Sequence, residues 1–255
     1  MFVVNDHRVS LATESLARDV DASGLRGMLR TQRGFRPPVS GTVYASLLND
    51  RAAQQALEPE MRDAPYKAPP QAPILYVKPR NTLVGYGARV VVPDNAKGVR
   101  LGASLGIVIG RVTCCVKAAD AMEHVAGFVG VADLSIPHAS VYRLPIGDQA
   151  RDGFCVIGPA VVARRHVANP DALALTMAIE GGASFSGSTS TAVRSAARLL
   201  QDVTEFMTLV PGDVLTMGVL HGSPVGHAGD RVTLSVGDWA PLRFELVAAD
   251  AGAGS

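Results

Sequence analysis

At 255 residues, with 47% hydrophobic content, a formal net charge of +1 and a mean hydropathy of +0.20, the chain can bury a sizeable core as one large or two small domains. So balanced a charge gives no general pull toward nucleic acid or an anionic membrane, neither of which is expected as a partner; small-molecule chemistry is the leading class of function. The longest apolar runs, such as ILYV and GIVIG, fall far short of the ~20 residues a membrane span needs, and the N-terminus lacks the apolar core of a signal peptide, so a cytoplasmic location is expected.

Residues 1–40 differ from the rest, with six arginines, four acidic residues and few large apolar ones. The acids dilute the arginines, which favours a solvated extension over a transit peptide or a nucleic-acid arm; Ser10–Arg18 is long enough for one short helix. A domain is expected over 41–247, followed by a flexible Ala/Gly tail at 248–255. GTVYASLL predicts a first strand, and NDRAAQQALEPEMRD a short helix capped by Asn49 or Asp50. The prolines of APYKAPPQAP forbid regular helix and lead into a second strand, ILYVKP. Beyond it ARVVVP, GASLGIVIG, VAGFVGVAD, PAVVAR, LALTMAIEG and DRVTLSV are Val/Ile clusters punctuated by glycine, a texture that suits sandwiched or rolled sheets better than a parallel doubly wound one. Two helices are predicted among these strands. Ala118–Val125 is short; Thr191–Thr208 is longer, with Val193, Ala197, Leu200, Val203 and Met207 recurring on one face as core packing. Pro211 and Gly212 stop the second, and DVLTMG resumes as strand. GGASFSGSTS reads as a flexible stretch whose Ser186, Ser188 and Ser190 have no paired base. Cys114, Cys115 and Cys155 have neither the count nor the spacing of a disulfide framework and are expected as small buried thiols.

Generic catalytic signatures are absent: there is no GxSxG, Walker loop, HExxH or CxxC, and Gly85 and Gly87 do not follow a dinucleotide fingerprint. The six histidines lie singly, and only His138 and His221 are raised slightly by their loop settings. What rises above this background is a series of segments in order: YVKPRNTLVGYG at 76–87, GASLGIVIGR at 102–111, VAGFVGVADLS at 125–135, RDGFCVIGP at 151–159 and FMTLVPGDVLTMG at 206–218. They resemble, in turn, the KP segment, the metal strand, the GYxxxNDxS segment, the FDxFxPxGP stretch and the PGD turn of the fumarylacetoacetate hydrolase family. The resemblance implies an α+β, mainly β fold: a mixed β-sandwich roll with a few short helices.

Within that family, APYKAPPQAPILYVKPRNTLVG and YRLPIGDQARDGFCVIG resemble the N-terminal halves of tandem-duplicated isomerase/decarboxylases of 4-hydroxyphenylacetate (homoprotocatechuate) degradation. The family site uses Mg2+ (or Mn2+/Ca2+) on three carboxylates, two of them a Glu-x-Glu pair, to make a 2-oxo acid an electron sink. Here Gly102 and Ser104 stand in place of the two glutamates and only Asp133 is matched, so the resemblance implies a cation bound weakly or not at all by this chain. It further implies Lys78 as the catalytic residue and Arg80 and Asn81 as substrate-binding residues, Arg80 through its bidentate fork. Gln149 replaces the lysine that commonly precedes the FDxF stretch, and Pro137 the arginine after NDxSA. Plain structure stands beside each role: Lys78 pinning a strand end, Asp133 capping a turn, Arg80 and Asn81 bracing the loop to Gly85, Asp152 and Asp213 as turn residues.

The function this implies is a subunit of a 5-oxopent-3-ene-1,2,5-tricarboxylate decarboxylase / 2-hydroxyhepta-2,4-diene-1,7-dioate isomerase, acting on small oxo or hydroxy di- or tricarboxylic acids. A homodimer, or a heterodimer with a C-terminal-type paralogous subunit that carries the metal, is the expected assembly. Two other readings stay open: a non-catalytic scaffold (pseudoenzyme) for a metal-bearing homologue, and a metal-independent enzyme on a related oxo acid using Lys78 and a loop histidine.

Overall fold

Glycine-punctuated Val/Ile runs, too apolar to leave either face in water, become the longest strands of the molecule and organise the rest around them. The computed structural model describes residues 30–31, 34–62, 67–138 and 145–249. In chain order its strands are β1 (Arg30–Thr31), β2 (Gly34–Phe35), β3 (Val43–Leu47), β4 (Ile74–Lys78), β5 (Leu83–Val84), β6 (Arg89–Val92), β7 (Val99–Ile109), β8 (Val125–Ser135), β9 (Cys155–Ala163), β10 (Ala174–Ile179), β11 (Ser184–Ser188), β12 (Val214–Thr216), β13 (Val225–Gly226), β14 (Arg231–Val236) and β15 (Leu242–Ala248). The helices are α1 (Arg51–Arg62), α2 (Ile146–Gln149) and α3 (Ala196–Thr204).

An eight-stranded sheet runs in the order β4-β3-β12-β7-β8-β9-β5, with β13 paired to β7; a five-stranded sheet runs β11-β10-β14-β15-β6. The antiparallel β7 and β8 form the centre of the larger sheet and are buried on both faces almost throughout. One face, carrying Leu101, Leu105, Ile107, Phe128 and Leu134, joins the main core with Leu234, Phe244 and Leu246 of the smaller sheet. The other, carrying Val108, Val129 and Val131, packs on Val43, Ile157 and Val214. β4 and β5 are the outermost strands of the larger sheet, yet only residues 79–82 separate them in the chain, so the sheet must roll until its edges nearly meet. Gly106 permits this curl: a Cβ there would come within 2.8–3.0 Å of methyl groups of Val214, Val129 and Val131.

This is the mainly β roll expected, and the segments read as strands all contain one. β15 was not singled out, and GGASFSGSTS is the edge strand β11, tied to β10 by a 2.9 Å contact between the Thr176 and Ser186 hydroxyls. Two helices are shorter than expected. Ala118–Val125 contains one 3-10 turn, Ala121–His124. Thr191–Thr208 contains α3 alone, because Asn49 accepts the Val193 N–H on its carbonyl and the Arg194 N–H on its side chain, both at 2.9 Å, holding those residues outside the helix until Ser195 caps it. Its buried apolar residues are Ala196, Leu199, Leu200 and Val203; of the expected stripe, Ala197 and Met207 are half-buried against the same core and Val193 lies before the helix. α1 is capped by Asp50, which accepts the Ala53 N–H at 3.0 Å. Cys155 is buried as expected; Cys114 and Cys115 are exposed, a correction that follows from their place on a loop beyond the end of β7. The expected Ser10–Arg18 helix and the end of the 248–255 tail lie outside the described residues. Among the described residues no helix is long and apolar enough to cross a membrane.

Candidate active site

β4 contributes two polar residues spaced so that both face one side of the strand, Tyr76 and Lys78. The roll brings that side against Asp133 on β8. Lys78 Nζ lies 2.6 Å from Asp133 Oδ1 and donates to the carbonyls of Leu134 at 2.9 Å and Gln149 at 3.1 Å. An ammonium has three N–H donors, and here each has an acceptor. The Tyr76 hydroxyl donates to the other carboxylate oxygen, Oδ2. Lys78 and Asp133 are 2% and 6% exposed, so the pair is held almost out of water.

Burial, then the Asp133 charge and its hydrogen bond, holds the Tyr76 phenol well above its ordinary value, so the phenol keeps its proton across neutral pH. Cys155 is the cross-strand partner of Asp133; burial pushes its thiol up, only partly offset by Lys78, so it stays protonated and is not a nucleophile. The cluster is therefore charge-neutral, with one donated proton at Tyr76 Oη and one cation. It holds that proton between Tyr76 Oη and Asp133 Oδ2 while Lys78 pairs with Oδ1.

Gly102 is the cross-strand partner of Asp133, and Ser104 pairs with Val131 on the same face. The space a larger residue at 102 would need is taken: a Cβ there would sit 2.6 Å from the Asp133 carbonyl and 2.8–2.9 Å from both methyls of Val219. Ser104 is buried and donates its hydroxyl to the Gly218 carbonyl at 2.7 Å. A hard divalent cation needs several converging oxygen ligands. Asp133 has both oxygens engaged, Ser104 is turned to backbone, and no group of three His, Cys, Asp or Glu converges among the described residues. These residues do not fit such a cation.

Beside the cluster opens a cavity of about 490 Å³. Its lining includes Tyr76, Gly102, Asp133, Arg100, His138, Gln149, Val219 and His221, with residues of β3 and α1. Lys78 and Asp133 are thus brought together at the cavity, and His138 and His221 join them. Arg80 is exposed and outside the lining, while Asn81 donates to the Ala150 carbonyl at 2.8 Å and Asp152 Oδ1 at 2.9 Å, bracing the loop after α2. Tyr76, Arg100 and Val219 were missed from sequence. The two-residue alternation that puts Tyr76 with Lys78, and Arg100 with Gly102, was a signal for the first two; Val219 had none.

A family model, fumarylacetoacetate (FAA) hydrolase C-terminal, matches residues 42–247. The 4-hydroxyphenylacetate degradation bifunctional isomerase/decarboxylase of Escherichia coli is 35% identical over 82% of this chain and 48% of its own length, so the chain spans about half of that relative. The human mitochondrial oxaloacetate tautomerase FAHD2A is 31% identical over 92% of this chain and 73% of its own. Among solved structures, maleylpyruvate hydrolase from Sphingobium sp. SYK-6, in complex with manganese(II) and pyruvate, shares the fold at a TM-score of 0.70 and 21% identity, covering 85% of this chain and 75% of that one. The matched segment and the rolled sheet agree: the chain belongs to the fumarylacetoacetate hydrolase C-terminal family.

Proposed function

We propose that this chain is a subunit of a 5-oxopent-3-ene-1,2,5-tricarboxylate decarboxylase / 2-hydroxyhepta-2,4-diene-1,7-dioate isomerase of 4-hydroxyphenylacetate breakdown, working beside a homologous subunit that carries the divalent metal. The observation that carries the reading is the state of the Asp133 position. Its carboxylate is bound by Lys78 and Tyr76 and the neighbouring position 102 is closed by Val219, which leaves no room for a metal clamp in a fold otherwise intact. The match to a bifunctional isomerase/decarboxylase over 82% of this chain supports the reaction class.

In this reading Lys78 fixes one oxygen of the Asp133 carboxylate and the Tyr76 hydroxyl donates its proton to the other, so the chain's own residues hold a proton rather than a metal at this position. The open cavity favours this over a purely structural scaffold, since a scaffold has no need of a chamber of small-molecule size. The test is to purify the chain alone and with its metal-bearing paralogue and to follow loss of CO₂ from the tricarboxylate. Activity from the pair and little from the chain alone is expected. Full Mg2+-dependent turnover by the isolated chain would overturn the dependence on a partner.

A further inference from the structure

Cys114 and Cys115 stand outside the cavity lining, on the loop after β7, yet they are held in a defined arrangement. Both residues are exposed, and their sulfurs lie 3.7 Å apart. In extended backbone, neighbouring side chains point to opposite sides, which keeps the sulfurs of adjacent cysteines apart. Here Cys115 has a φ of 49°, in the left-handed region that residues other than glycine rarely enter, and the two side chains turn toward each other. The surroundings fix that conformation. Buried Thr113 exchanges backbone hydrogen bonds with Leu209 at 2.9 and 3.0 Å, the Cys115 N–H donates to the Thr204 carbonyl at 2.8 Å, and the N–H of buried Val116 donates to the Thr204 hydroxyl at 3.2 Å. An unusual backbone state held from both sides is a feature of the kind that functional sites use.

The spacing selects among the things a pair of thiols can do. A disulfide needs its Cα atoms at roughly 4.4–6.8 Å, whereas a trans peptide fixes adjacent Cα atoms at about 3.8 Å, so direct closure works against the backbone. A single atom bonded to both sulfurs at about 2.3 Å, the length of a metal–thiolate bond, and at a near-tetrahedral angle spans about 3.8 Å between them. The observed 3.7 Å matches that span. We infer that Cys114 and Cys115 form a two-point binding site for trivalent arsenic, with one arsenic atom held between their sulfurs. The inference is independent of the subunit reading above. With an organoarsenical oxide, two As–S bonds form and two S–H bonds break. Both thiol protons leave with the oxide oxygen as water, and arsenic stays trivalent throughout, so the step needs neither oxidant nor reductant. The second As–S bond forms at the effective concentration set by the shared loop, a gain of about 10²–10⁴ over a single thiol. Cys155, the remaining cysteine, is fully buried and serves as an internal control.

Phenylarsine oxide, added to the reduced full chain and followed by intact-mass spectrometry and peptide mapping, tests this directly. The wild-type chain is expected to retain one arsenic on Cys114 and Cys115 against an excess of the monothiol 2-mercaptoethanol, and to lose it to the dithiol 2,3-dimercaptopropanol. Cys114→Ser and Cys115→Ser are each expected to lower the monothiol concentration that releases half of the arsenic by at least about a hundredfold, because one thiol alone lacks the second bond. Both positions are exposed, so unchanged melting temperatures are expected, and either variant by itself suffices for the comparison. Release from wild type as easily as from the variants, or arsenic carried on Cys155, overturns the inference.

Discussion

Asp133 holds a carboxylate only 6% exposed, and the chain satisfies it twice, with an ammonium on one oxygen and a phenol on the other. A buried pair of this kind is expensive to form and more expensive to break, because the partner left behind remains charged and out of water. Lys78→Met is accordingly expected to cost about 3–5 kcal/mol in urea unfolding. Replacing both partners, as Lys78→Met with Asp133→Leu, should recover most of that loss, since no unpaired charge remains. A single-variant cost below about 1 kcal/mol would place the pair with weak surface bridges instead. At this scale the sequence was half legible. Lys78, Asp133 and the empty positions 102 and 104 could be read from ordered segments, because chemistry is written in residue type. That Asp133 is already neutralised could not, since Tyr76 and Lys78 lie 57 and 55 positions away and meet it only when the sheet rolls.

The elements follow the same division. Strands built from Val and Ile runs were plain in the sequence, because a run buried on both faces has few other structures open to it. α3 was not, at its start. Five apolar residues spaced three or four apart suggested a helix from Thr191, but Asn49, 145 residues away from Arg194, captures the backbone there and delays the first turn to Ser195. Ser195 accepts the Arg198 N–H at 3.2 Å, so Ser195→Ala should destabilise the fold by about 1 kcal/mol, while Ser195→Asp retains the cap. Thermal melts of the two variants separate these outcomes; equal loss from both would mean that tertiary packing and not the cap sets the helix start. The placement of β4 and β5 at opposite edges of one sheet has a larger consequence. Their four-residue link makes the roll, and the roll carries Tyr76 and Lys78 onto β8.

For the whole molecule, the larger sheet rolls beside a cavity whose lining includes residues of β7 and β8: Val219 fills the space beside Gly102, Lys78 pairs with Asp133, and Arg100 is a second cation at the lining. On the reading proposed above, metal chemistry falls to another subunit. The most direct measurement is Mn2+ binding by the isolated chain, followed by electron paramagnetic resonance of the free ion at neutral pH. The account predicts that the chain retains no Mn2+ at this site, and that Asp133→Asn changes nothing in the titration. One Mn2+ bound per chain at sub-millimolar affinity, and lost in Asp133→Asn, would contradict it.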